Sequence, residues 1–147
     1  MSSERPNTLL AVLSCGPTTE SWPIEVAWSS ASEGIRTMLL QPASGWSLSS
    51  WDKGYEAKHK LPLEQLLSEG KPPIEACLVL NAALGGQTVG VLHPETDCVW
   101  LYKLYKAGHV EPNYRLVGVD GGDDGEVVRP AHMLEGLQEG EPRAQTG

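Results

Sequence analysis

The chain has 147 residues, 40% of them apolar, which is enough for one domain with a real core and too apolar for a disordered chain. Its net charge is −8, and an acidic chain is a poor general binder of nucleic acid, because neutralisation of phosphates by lysine and arginine supplies most non-specific affinity. The charge is uneven: residues 120–147 hold seven acids against Arg129 and Arg143, a net −5, which leaves −3 for residues 1–119.

Residues 1–7 are polar and read as a disordered start; one domain is expected over 8–138, followed by a flexible acidic tail over 139–147. Leu9–Cys15, a continuous apolar run, predicts a strand buried on both faces, ended by Gly16-Pro17. A signal peptide is a poor reading of it. Glu4 cancels Arg5 in the preceding stretch, and the five-residue run Leu9–Leu13 falls short of the usual ~7–15. Trp22–Ser30 alternates, with Ile24, Val26 and Trp28 on one face and Glu25 and Ala27 on the other, and predicts a half-buried strand whose Glu25 is solvated or loop-paired. After the turn "SASEG", Ile35–Leu40 reads as a third strand, so the chain opens with an antiparallel meander.

Residues 41–62 read as a long loop in which Trp46, Trp51 and Tyr55 lie among Lys53, Lys58, His59 and Lys60. The plain reading is a loop whose tryptophans plug the edge of the core; the functional one is a lip that stacks and charge-pairs with single-stranded nucleic acid. "PLEQLLSEG" predicts a short helix stopped by Gly70, and "KPPIEACLVLNAALGG" a longer one opened by prolines and closed by Gly85-Gly86. Thr88–Leu92 is a short strand. "HPETDCVWLYKLYKAG" is a helix with Pro94 in its first turn, acids at its positive end and Gly108 as its stop, and His93 is placed to cap it. Tyr114–Val119 is a last strand, and "RPAHMLEGLQ", within Glu126–Glu139, a last short helix. Strands alternating with helices after a meander predict an α/β fold with a mixed five-stranded sheet flanked by helices.

No apolar run approaches the ~18 residues of a membrane span. There is no glycine-rich phosphate loop and no G-x-S-x-G elbow. Cys15, Cys77 and Cys98 are odd in number, widely spaced and without metal-type spacing, and read as reduced thiols filling the core of a cytoplasmic protein.

Three phrases in this order, "SWPIEVAW", "YEAKHKLPLEQLLSEGKP" and "VLHPETDCVWLYKLYKAG", resemble the DnaQ-like (DEDD) 3′–5′ exonuclease family of the ribonuclease-H-like fold, over roughly residues 8–137. The "HKL" at His59 sits where that family usually reads His-Gly-Ile. The resemblance implies two divalent ions held by carboxylates around a scissile phosphate. The family's Asp-x-Glu on the first strand falls here on Leu13 and Cys15, its middle Asp on Asp97, its general base on Arg129 and its last Asp on Leu134. Leucine ligates nothing and a thiolate is a soft ligand, so one carboxylate of four remains. A catalytically degenerate exonuclease-like domain is therefore expected, acting by binding a nucleic acid end or a protein partner, with His59, Lys58, Lys60 and Trp51 as substrate-binding residues. No cofactor is expected; Mg2+ or Mn2+ enters only with residual activity. Two alternatives stay open. One is an active metal-dependent 3′–5′ exonuclease with a site rearranged around Asp97, His132 and Glu135. The other is a pure protein-interaction module working through a sheet edge or the aromatic loop.

Overall fold

The computed structural model describes residues 7–30, 34–119 and 129–135. The expected disordered start over 1–7 (Asn7 apart), most of the turn "SASEG", the acidic tail over 139–147 and the ends of the last helix lie outside these residues. Five strands form one sheet: β1 (Thr8–Ser14), β2 (Pro23–Ser30), β3 (Gly34–Leu39), β4 (Thr88–Val91) and β5 (Arg115–Gly118). Their order is β3-β2-β1-β4-β5. The β1–β2 and β2–β3 pairs are antiparallel, and the β1–β4 and β4–β5 pairs are parallel.

Four helices accompany the sheet: α1 (Lys53–His59), α2 (Leu63–Glu69), α3 (Pro73–Leu84) and α4 (Pro94–Gly108). Residues 130–135 are helical as well. One face of the sheet is covered by α3 and α4, whose Leu80, Leu84, Leu101 and Leu104 meet Leu10, Val12, Val26 and Trp28. Proline opens both helices, where its missing N–H costs nothing. The stop of α4 departs from expectation. The left-handed residue that ends it is His109, with φ 57. Gly108 serves packing instead: a Cβ there would meet Cys77 Sγ and the Pro73 carbonyl oxygen at 3.0 Å, so glycine lets α4 close onto the start of α3.

Two further expectations are corrected. Residues 41–62 are not all loop: Asp52 accepts the Tyr55 N–H (2.9 Å) as an N-cap, and one helix turn after another follows to His59. The helix ends on Lys60 with φ 62, so no glycine marks the stop. The strand β2 is buried on both faces rather than one. Leu134 of the 130–135 segment packs on Leu9, Ala11 and Ala27, covering the face that alternation left open to water.

Candidate functional site

Because β1 and β4 run parallel, their carboxyl ends share one edge of the sheet, the place where open α/β sheets gather their ligands. At that edge β2 carries a bulge against β1. Leu13 faces Glu25 but Ser14 faces Pro23, so Ile24 is the extra residue. Ile24 accordingly packs with Leu13, Cys15 and Trp22, and not with its expected companions Val26 and Trp28.

The end of β1 is apolar and closed. Leu13 is 6% exposed and Cys15 is fully buried. The Cys15 thiol accepts the Trp22 N–H (3.4 Å) and donates to the Ser50 carbonyl (3.6 Å), and burial pushes its pKa up, so it stays a thiol. Lys103 braces the loop after β1 by donating to the carbonyls of Thr19 and Ser21, both at 2.6 Å. Trp22 stacks on Trp46 (5.7 Å between centroids), leans on Trp51 (5.9 Å) and donates from Nε1 to the Ser47 carbonyl (2.9 Å). The aromatics of the 41–62 stretch thus seal this edge.

His59 belongs to the seal. It is 2% exposed, lies edge-on to Trp51 (5.8 Å) and accepts the Leu61 N–H on Nδ1 (3.0 Å). Nδ1 as acceptor fixes the neutral tautomer with its proton on Nε2, which is buried and has no partner among the described residues. Burial, joined by the charge of Arg129, lowers its pKa against the raising effect of Glu56. In place of an exposed lip, the structure puts His59 inside; Trp51 is half-buried with Nε1 donating to Glu56 (2.7 Å), and Lys58 and Lys60 are exposed.

Two carboxylates are buried near the ends of these elements, and they are treated differently. Asp97, in the first turn of α4, is 4% exposed; its Oδ2 has no partner among the described residues, and burial pushes its pKa up to about 7. Glu25 is 1% exposed, and both of its oxygens are taken by Arg129, through Nε (2.6 Å) and Nη2 (2.9 Å). Since Glu25 is the cross-strand partner of Leu13, the two share a face, and the guanidinium is held beside the Leu13 end of β1. Sequence alternation separates Glu25 from Ile24 and Val26; what it lacks is the cover, which arrives 104 residues later in the chain. The expected cap at His93 is made by its backbone carbonyl, which accepts from Thr96 and Asp97, and not by its imidazole.

The structure therefore brings Leu13 and Cys15 into one cluster, sets Arg129 beside Leu13 through Glu25, and places Leu134 farther back on β1, against Leu9 and Ala11. His132 and Glu135 approach each other (4.0 Å) on the exposed side of their segment. Among the described residues no three His, Cys, Asp or Glu side chains gather where they could hold an ion. An inert leucine, a protonated thiol and a buried carboxyl that ionises only near neutrality do not fit the pair of hard cations that the family pattern implies.

The chain has a ribonuclease-H-like α/β fold: a mixed five-stranded sheet with an antiparallel meander, parallel strands and flanking helices. Among solved structures it is similar to E. coli exonuclease I in a zinc-bound complex with single-stranded DNA (TM-score 0.60, 8% identity, covering 78% of this chain and 28% of that one). It is likewise similar to exonuclease I without ligand (0.59, 9%, 78% and 29%) and to exonuclease I in complex with SSB-Ct (0.60, 8%, 78% and 28%). The match spans less than a third of the length of those chains. No family model and no curated protein matches the sequence. Among the described residues no helix is long and apolar enough to cross a membrane.

Proposed function

We propose that the chain is a catalytically degenerate 3′–5′ exonuclease-like domain that acts by binding the end of a single-stranded nucleic acid, without a resident metal. The observation that carries this reading is the state of the β1 end: at the two positions where the family resemblance asks for carboxylates, Leu13 and Cys15 are sealed under tryptophans, with the thiol engaged on both sides. The exposed Lys58 and Lys60, on the rim of that aromatic seal, supply the positive charge a polyanion needs. The structural neighbours include one bound to single-stranded DNA, which is consistent with this choice of ligand.

A titration of a fluorescein-labelled single-stranded oligonucleotide, followed by anisotropy, tests the reading. Micromolar binding that weakens with added salt and is indifferent to EDTA is expected. Absence of binding at low salt would overturn it. A protein partner is the second reading, favoured by Ile74 and Leu78, one turn apart on α3 and 52% and 54% exposed.

A further inference from the structure

At the β1 end the chain supplies its own cation. Arg129 occupies the position aligned with the family's general base, and it is fixed there by a carboxylate on β2 rather than one on β1. A guanidinium has five N–H donors in a rigid plane, and carboxylates and phosphates both pair with it two bonds at a time. Glu25 uses one edge, through Nε and Nη2. Glu25 thus takes two of the five donors, and 44% of the Arg129 side chain is open to solvent while that of Glu25 is only 2% so. The pair is therefore oriented. Its negative end is buried beside Leu13, and its positive end reaches solvent.

Locking matters for recognition. A free arginine gives up much of its rotamer freedom on binding a phosphate, whereas one already held in two bonds has little left to lose. A phosphate, unlike a metal ion, is held by donors, and the guanidinium has three N–H beyond the two that Glu25 takes.

We infer that Arg129, oriented by Glu25, is a phosphate-receiving group that takes a phosphate of a nucleic acid end through its outer edge. This deepens the nucleic-acid reading and rests on it for the identity of the ligand, though not for the anion site itself.

The test uses the full chain and two probes: inorganic phosphate, followed by the 15N signals of Arg129, and the labelled oligonucleotide, followed by anisotropy. Phosphate should shift the Arg129 side-chain signals saturably. Arg129→Lys, which keeps the charge and an ion pair with Glu25 but loses the fork, should weaken oligonucleotide binding about tenfold. Glu25→Gln, which leaves Arg129 one acceptor in place of two and so loosens the lock, should weaken it several-fold. Amide exchange over 130–135 establishes that the segment remains seated in both variants. Oligonucleotide binding that is equal in all three proteins, with Arg129 signals unmoved by phosphate, overturns the anion site while leaving nucleic-acid binding in place. Saturable shifts with phosphate but no oligonucleotide binding keep the anion site and remove the nucleic-acid reading.

Discussion

The two faces of the sheet are sealed by different means. On one, α3 and α4 lay leucines over Leu10, Val12, Val26 and Trp28. On the other, the helical segment 130–135 sits over the small residues Ala11 and Ala27, anchored by Leu134 and by the Glu25–Arg129 pair. Apolar burial is the main hold on the first face, joined by the Tyr105 hydroxyl donating to Asn81 between the helices, and this face should resist opening until the whole domain unfolds. The second depends on a short segment and a half-exposed charge, and regions so lightly held are where proteins open locally and where ligands bind. The strand β1 belongs to both faces, so a change on the thin side is felt at the site without dissolving the core.

The largest loss should come from the thick face. Leu104→Ala removes a fully buried side chain between helix and sheet and should cost about 4 kcal/mol in urea denaturation. Next comes Asp97. Its carboxyl is held protonated by burial up to about pH 7, against 3.8 in an unfolded chain, so folding takes up a proton between those values. Its contribution is fully present below pH 3.8 and is lost as pH rises through 7. Asp97→Asn should match the parent at pH 4 and exceed it by roughly 3–4 kcal/mol at pH 8. A difference that stays flat with pH would show that the carboxyl is solvated.

On the thin face, Arg129→Ala strands a buried carboxylate and should cost about 3 kcal/mol. A double replacement of Glu25 and Arg129 by leucine should recover most of that, which a double-mutant cycle reads directly. Smallest of all, Lys58→Ala should change stability by less than about 0.5 kcal/mol while lowering the salt dependence of oligonucleotide binding by about one unit of slope.

Much of this architecture was legible from the chain. The run Leu9–Cys15 reads as a doubly buried strand because it has no polar alternation, and the prolines before α3 and α4 announce their starts. The helix α1 escaped because its stop is Lys60 in a left-handed conformation, a role normally left to glycine, although Asp52 three residues before Tyr55 was a usable cap signal. His59 and Trp51 look like a solvent-facing lip in sequence, since lysines surround them; only the position of α1 against Trp22 and Leu61 turns them inward. Glu25 was harder still. A lone acid on an alternating strand points outward until something covers it, and nothing local foretells a partner 104 residues away.

The central proposal is that this chain binds a nucleic acid end without cutting it. The most direct test is to incubate a 5′-labelled single-stranded oligonucleotide with excess protein and Mn2+ and resolve the products by length. The account predicts that the oligonucleotide stays at full length. Progressive shortening by the wild-type chain that disappears in Asp97→Ala would contradict it.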